Sequence, residues 1–168
     1  KNSYFLMLAT GRNTYDHLIA KSNKRIDDET ILIDPPSPID LDYNQIIDFS
    51  TGSKQSVYVT SEGKAFAYGD DRAFAIGTKN RMVYQNPIQV TFDNVADKFI
   101  SAKCGQIYTV YLTDKGFIII CSEKSIHFVP AIHTFEYRIV YISGSYLSPV
   151  AIDARGDFYI FSKNPSAT

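Results

Sequence analysis

Short stretches in which apolar and polar residues alternate recur along the chain, and this period of two residues predicts β-strands. Three stretches share one pattern, in which an alternating strand leads through a short turn into a second apolar strand. They cover residues 51–69, 104–122 and 143–162. No segment carries a sustained apolar stripe with the helical period of 3.6 residues. The hydrophobic pattern therefore predicts an all-β chain assembled from repeated β-hairpins.

Two glycines occur at matching places in each stretch, separated by 11, 11 and 12 residues. The first glycine of each pair precedes the alternating strand, and these are Gly52, Gly105 and Gly144. The second follows the short turn, where a hairpin loop commonly needs a positive φ that glycine adopts without steric cost. We therefore predict structural hairpin glycines at Gly63, Gly116 and Gly156.

Further short strands are predicted between the hairpins. Residues 46–49, 98–100 and 140–142 lead into the three hairpins, and residues 87–92 form an outgoing strand. Residues 31–33 form another, which is followed by Asp34-Pro35-Pro36. Matching glycines recur after 58, 53 and 40 residues, and repeats of this length are typical of four-stranded propeller blades. The chain is thus predicted to form three to four blades of a β-propeller.

A second signature follows the outgoing strand of the first hairpin. Residues 69–77 match residues 11–19 in character, with Gly first, Asp or Asn third, an aromatic residue near the middle and an aliphatic residue eighth. The chain therefore begins with the tail of one more repeat, over about residues 1–20. The three complete repeats are predicted at about residues 47–97, 98–139 and 140–168.

These motifs resemble the regulator of chromosome condensation repeat. The middle of that repeat is similar to Leu-Thr-Asp-Lys-Gly at 112–116 and Val-Thr-Ser-Glu-Gly at 59–63, and its tail is similar to residues 69–77 and 11–19. The family forms a seven-bladed propeller, so the resemblance implies that this chain is about half of a larger ring. Family members carry a His shortly after the first Gly, where this chain has Gln55, Tyr108 and Leu147 or Ser148. The third repeat also lacks the tail.

Composition and charge narrow the classes of function. The chain is 45% apolar, 14% aromatic and 21% charged, which excludes a disordered protein. Its formal net charge of −1 makes binding to nucleic acid or directly to chromatin an unfavoured interpretation. No apolar run is long enough to span a membrane, and no signal peptide opens the chain. Because it begins with Lys1 rather than Met, we expect it to be a piece of a longer protein.

The two cysteines, Cys104 and Cys121, lie in apolar strand-like runs. We expect free buried thiols in a reducing compartment, with an inter-strand disulfide as the alternative. The expected location is therefore intracellular, in the cytoplasm or the nucleus. The three histidines, His17, His127 and His133, have no metal-ligand spacing. No phosphate-binding glycine loop and no nucleophile elbow is present, so we expect no metal, no cofactor, no catalytic residues and no enzyme activity of the ordinary kind.

Two hypotheses of function follow. The first is a protein-interaction scaffold, because propellers present loops on rigid faces and Arg and aromatic residues are enriched at binding hot spots. A structural role in stabilising each blade is the alternative for the same loop residues. The second, implied by the resemblance, is guanine-nucleotide exchange on a Ran-type small GTPase. The candidate partner-binding residues are Arg12, Asn13, Tyr15 and His17 in one loop and Asp70, Asp71, Arg72 and Phe74 in the matching loop.

Overall fold

The computed structural model describes residues 8–12, 24–25, 31–38, 45–72, 75–78, 80–93, 95, 98–122, 131–144 and 146–161, with side chains from residue 45 onward except at position 131. These residues form fourteen strands in four antiparallel sheets. The all-β prediction is confirmed, and four sheets agree with three to four blades.

The sheets follow one another along the chain, and we refer to them as blades 1 to 4. Blade 1 contains β1 (Leu8–Arg12), β2 (Lys24–Arg25) and β3 (Ile31–Pro38), in the order β1-β3-β2. In the others, each strand pairs with the next. Blade 2 contains β4 (Ile46–Thr51), β5 (Gln55–Thr60), β6 (Ala65–Asp70) and β7 (Val83–Val90). Blade 3 contains β8 (Phe99–Cys104), β9 (Tyr108–Thr113), β10 (Ile118–Ser122) and β11 (Ala131–His133), and blade 4 contains β12 (Ile139–Gly144), β13 (Pro149–Asp153) and β14 (Phe158–Ile160).

The first strand of blades 2, 3 and 4 is irregular at the same place. Its first residue pairs with the last residue of the next strand, and the register then shifts. The three pairs are Ile46 with Thr60, Phe99 with Thr113, and Ile139 with Asp153. A bulge increases the local twist of a strand, and these three blades share the same irregularity where they begin. The repeat seen in the sequence is therefore also a repeat of backbone geometry.

The three hairpin glycines have positive φ, of 82° at Gly63, 87° at Gly116 and 92° at Gly156. Two of them also touch the chain where it begins the next blade. A β-carbon on Gly63 would lie 2.5 Å from Cβ of Lys98, and one on Gly116 would lie 2.4 Å from Cγ of Arg138. Glycine at these two turns thus serves both the backbone conformation and the contact with the following blade.

Blades 2, 3 and 4 pack face to face through two apolar clusters. Tyr111 of β9 belongs to the cluster shared with blade 2, together with Val57 and Val59 of β5. Val110 and Leu112 of β9 belong to the cluster shared with blade 4. Blade 3 is therefore covered on both sides, as a blade inside a propeller is. Blade 4 carries exposed large apolar side chains, among them Val140, Tyr141, Phe158 and Ile160.

The structure corrects the predicted end of the strand at residues 31–33. Strand β3 continues through Pro35 and Pro36 to Pro38. Its register with β1 shifts between the pair Ala9–Ser37 and the pair Gly11–Ile33. The two prolines lie within this shift, where no regular ladder bond is needed, and proline is tolerated in strands at such positions.

Cys104 and Cys121 are both free and buried, in the cluster between blades 2 and 3. Burial raises the pKa of Cys104 to about 12 and that of Cys121 well above its usual range. Both thiols therefore remain protonated at neutral pH and act as small apolar side chains.

Candidate functional site

The predicted partner-binding residues that the structure describes with side chains lie where β6 ends. Asp70 is the last residue of β6, and Asp71 and Arg72 follow it. Arg12 ends β1, and its backbone alone is described. The other four candidates, Asn13, Tyr15, His17 and Phe74, lie outside the described residues.

Asp70 and Arg72 form a two-pronged ion pair. Arg72 donates from Nε to Oδ1 of Asp70 at 2.9 Å and from Nη2 to Oδ2 at 2.7 Å. The backbone N–H of Arg72 also donates to Oδ1, at 2.9 Å. The Asp70 side chain is 4% exposed and that of Arg72 is 59% exposed. A buried carboxylate thus holds an exposed guanidinium in one orientation.

Burial disfavours the charged form of Asp70, but other groups outweigh it. The hydrogen bonds from Arg72, and the positive charges of Arg72 and Lys54, hold the pKa of Asp70 below its usual range. Asp70 is therefore ionised at neutral pH, and the ion pair with Arg72 is present.

Asp71 lies inside the loop that follows β6, and its side chain is buried. Its carboxylate is fully buried and accepts the backbone N–H of Ile76 at 2.7 Å and that of Thr78 at 3.1 Å. The hydroxyl of Thr78 donates to it as well. Burial raises the pKa of Asp71, although these hydrogen bonds oppose the change. Asp71 thus fixes the shape of the loop, which is the structural alternative recognised in the sequence.

Asp70 and Arg72 border an open groove of about 250 Å³ between blades 2 and 3. Two turns complete its walls, one between β4 and β5 and one between β8 and β9. We call it the inter-blade groove, and it is lined by Lys54, Gln55, Asp70, Arg72, Ala75, Gln106 and Ile107.

Sequence reasoning missed Lys54, Gln106 and Ile107 as members of this site. Lys54 follows Gly52 by two residues, and Gln106 and Ile107 directly follow Gly105. Each therefore lies in the turn marked by the first glycine of a repeat. The sequence shows this spacing. It does not show that the turns of two different repeats pack against each other.

Gln55 joins the two walls of the groove. Its side-chain Nε2 donates to the backbone carbonyl oxygen of Gly105 at 3.1 Å and to that of Tyr108 at 3.0 Å. Gln55 is 1% exposed. Because breaking the hydrogen bonds of a buried amide is costly, Gln55 holds the two walls in a fixed relative position. The groove consequently has a rigid base and a charged rim.

The arrangement is suited to binding. The oriented guanidinium of Arg72, the amide of Gln106 and the apolar surface of Ile107 can hold a ligand without covalent chemistry. Over the described part of the chain, no group of three or more His, Cys, Asp or Glu side chains could hold a metal ion. Among those same residues, no helix is long and apolar enough to cross a membrane.

Comparison with known proteins identifies the fold. No protein-family model matches the sequence, and no curated protein matches it. Solved structures do match. The structure of human WBSCR16 is 18% identical with a TM-score of 0.63, over 82% of this chain and 39% of that one. Yeast RCC1 (Prp20) bound to Kap60 is 16% identical with a TM-score of 0.69, over 92% of this chain and 39% of that one.

A second matching structure is that of Prp20p from Saccharomyces cerevisiae, a protein described together with its binding properties to Gsp1p and histones. It is 16% identical with a TM-score of 0.58, over 82% of this chain and 37% of that one. The chain thus spans about two-fifths of the length of these proteins. The resemblance found in the sequence is confirmed at the level of the fold, which is that of propeller blades from a larger ring.

Proposed function

We propose that this chain is a protein-interaction scaffold, which binds a partner at the inter-blade groove and acts without covalent catalysis. The observation that carries the proposal is the geometry of Arg72. Its guanidinium is largely exposed at the rim of the groove, yet a buried carboxylate holds it in place. An ordered arginine loses little side-chain entropy on binding and offers several donors, which is why arginine is frequent at binding hot spots.

The position of the groove supports the same function. It is formed by loops at the junction of two blades, and loops on a rigid scaffold commonly carry recognition. Gln55 and the apolar cluster between blades 2 and 3 keep the two walls together. A partner would therefore meet a preformed surface, which lowers the cost of binding.

Affinity capture with the full-length protein, followed by quantitative mass spectrometry, tests this proposal. The variants Lys54→Ala and Arg72→Ala should both reduce capture of the same partner, because both side chains line the groove. Lys64→Ala is the matched control, since Lys64 is an exposed lysine that pairs with Glu62 in the β5–β6 hairpin. Capture that is unchanged in both groove variants would rule out this surface.

A second candidate function is guanine-nucleotide exchange on a Ran-type small GTPase. It is supported by the fold shared with Prp20p, a protein described as binding Gsp1p, and by the resemblance of the repeats. Release of a fluorescent guanine nucleotide from such a GTPase, measured with the full-length protein, distinguishes the two. Accelerated release supports exchange, whereas unchanged release together with groove-dependent capture of another protein supports the scaffold.

A further inference from the structure

The hairpins of blades 2, 3 and 4 each present four apolar side chains on one face. These side chains lie six and four residues before the hairpin glycine and two and four residues after it, and they form two cross-strand pairs in each hairpin. The pairs are Val57–Ala67 and Val59–Ala65 in blade 2, Val110–Ile120 and Leu112–Ile118 in blade 3, and Val150–Ile160 and Ile152–Phe158 in blade 4. We call this surface the trailing face of a blade.

In blades 2 and 3 the trailing face is covered by the blade that follows. Its four residues in blade 2 are at most 1% exposed and belong to the cluster shared with blade 3. Those of blade 3 belong to the cluster shared with blade 4 or pack against it. In blade 4, by contrast, Phe158 is 59% and Ile160 is 64% exposed. Large exposed apolar side chains gathered on one face mark an interaction surface, and the two covered blades show which kind of partner this surface fits.

The side chain that packs on a trailing face varies in size with the residues of that face. It lies five residues before the hairpin glycine of the following blade. The outgoing strand of blade 2 places two alanines on its trailing face, and Tyr111 of blade 3, which is fully buried, belongs to the same cluster. The outgoing strand of blade 3 places two isoleucines there, and the matching residue of blade 4 is Ala151, also fully buried. Because protein interiors are closely packed, large residues on one face require a small residue opposite.

We propose that a further blade of the same polypeptide covers the trailing face of blade 4, and that it carries Gly, Ala or Ser five residues before its hairpin glycine. Phe158 and Ile160 are at least as large as the isoleucines of blade 3, so the same packing requires a small residue opposite them. A blade of the same polypeptide is supported by the matching solved structures, of which this chain spans about two-fifths. The inference concerns a different surface from the inter-blade groove and does not depend on the proposed scaffold function.

Thiol labelling of the full-length protein tests whether the trailing face of blade 4 is covered. Ile160→Cys should react with a thiol reagent at least about tenfold more slowly than Ala154→Cys, because a covered thiol reacts only after local opening. Ala154 is the matched control, since it is exposed in the hairpin turn of the same blade. The matching turn residues Ser61 and Asp114 are exposed although a blade follows each of them. The two natural cysteines are buried and add little background.

Dilution distinguishes a blade of the same polypeptide from a second copy of the protein. Protection within one polypeptide is independent of protein concentration, whereas protection by a second copy is lost on dilution. Equal labelling of Ile160→Cys and Ala154→Cys, or protection that disappears on dilution, would overturn the proposal. Thermal unfolding checks that each variant is folded, and Phe158→Cys provides a second position on the same face if Ile160→Cys is not.

Substitution of the residue that packs on this face tests its expected size. Replacing the Gly, Ala or Ser of the further blade by Tyr should lower the midpoint of thermal unfolding, because a filled core does not accept the extra volume. Phe158→Ala in the same protein should restore part of that loss, since it makes the room that the alanines of blade 2 leave for Tyr111. A large residue at that position of the natural protein, or a loss that Phe158→Ala does not relieve, would contradict the size matching.

Discussion

The side-chain amide of Gln55 donates to the backbone carbonyl oxygen of Tyr108 at 3.0 Å, across the junction of blades 2 and 3. Each residue lies three positions after the first glycine of its repeat, at the position where the resembling family carries histidine. Tyr108 makes an equivalent approach to the next blade, because a β-carbon on Gly144 would lie 3.1 Å from its hydroxyl oxygen. In both repeats the residue at this position thus lies against the following blade.

The first prediction concerns this link. Gln55→Ala removes two buried hydrogen bonds and leaves the carbonyl oxygens of Gly105 and Tyr108 without that donor. The free energy of unfolding should fall by about 2–4 kcal/mol, measured by urea denaturation. Lys54→Ala, one residue away and exposed, should change it by less than about 0.5 kcal/mol. Equal effects of the two substitutions would contradict a linking role for Gln55.

The second prediction concerns a hydrogen bond between the loop after β6 and blade 3. The hydroxyl of buried Tyr111 donates to the backbone carbonyl oxygen of Ile76 at 2.6 Å. Tyr111→Phe keeps the ring packed against Phe92 and Phe99 and removes only the hydroxyl. Its cost should be about 1–2 kcal/mol in urea unfolding.

A control for Tyr111→Phe is available in blade 4. Tyr146 is 63% exposed, so Tyr146→Phe should leave the free energy of unfolding nearly unchanged. Burial also raises the pKa of Tyr111 well above its ordinary value. Its absorbance should therefore not change to that of tyrosinate on addition of alkali until the protein unfolds, and an early change would show that the hydroxyl is accessible.

Much of the fold could be predicted from residues that recur. Alternation and paired glycines indicated the hairpins β5–β6, β9–β10 and β13–β14, because these signals depend only on neighbours in the sequence. The strands that lead into them were predicted over shorter ranges, such as 46–49 against the observed Ile46–Thr51. The later residues of these strands, including Ser50 and Thr51, pair through the backbone with Val57 and Ser56. Their polar side chains do not indicate this backbone pairing, so the sequence pattern ends too early.

The candidate site was harder to predict because it is formed between repeats. Asp70 and Arg72 were recognised from the loop motif, yet the same motif gave no means of separating Asp71, which is buried, from its exposed neighbour Arg72. The other wall consists of Gln106 and Ile107, about 35 residues away in sequence. Only the packing of blade 3 on blade 2 brings them to the groove.

The third prediction compares two hairpin glycines with nearly the same φ. Both Gly63→Ala and Gly156→Ala place a β-carbon on a backbone with positive φ, which costs about 1–2 kcal/mol. Gly63→Ala additionally forces a contact of 2.5 Å with Cβ of Lys98, whereas a β-carbon on Gly156 meets no atom of the described residues within 4 Å. Gly63→Ala should therefore be the more destabilising by at least about 1 kcal/mol in urea unfolding. Equal costs would mean that the contact with blade 3 is unimportant.

The last prediction concerns the pH dependence contributed by Asp71. Burial raises the pKa of this carboxyl in the folded protein above the ordinary value of 3.8. At pH values between the pKa of the unfolded state and the higher pKa of the folded state, the folded protein binds more protons at Asp71 than the unfolded protein does. The stability that this group contributes therefore increases as pH falls through this range. Asp71→Asn keeps the size and one acceptor oxygen but does not titrate. The wild-type protein should therefore gain stability relative to Asp71→Asn on acidification, at no more than about 1.4 kcal/mol per pH unit.

Urea unfolding of both proteins over a pH series measures this difference directly. Other carboxyl groups titrate in both proteins, so their contributions cancel when the two free energies of unfolding are subtracted. A difference that is independent of pH would mean that Asp71 has the same pKa folded and unfolded. A difference that increases with rising pH would mean that the hydrogen bonds from Ile76 and Thr78 outweigh burial and lower the pKa. The sign of the slope thus decides whether burial or hydrogen bonding controls the carboxyl that shapes the loop beside the inter-blade groove.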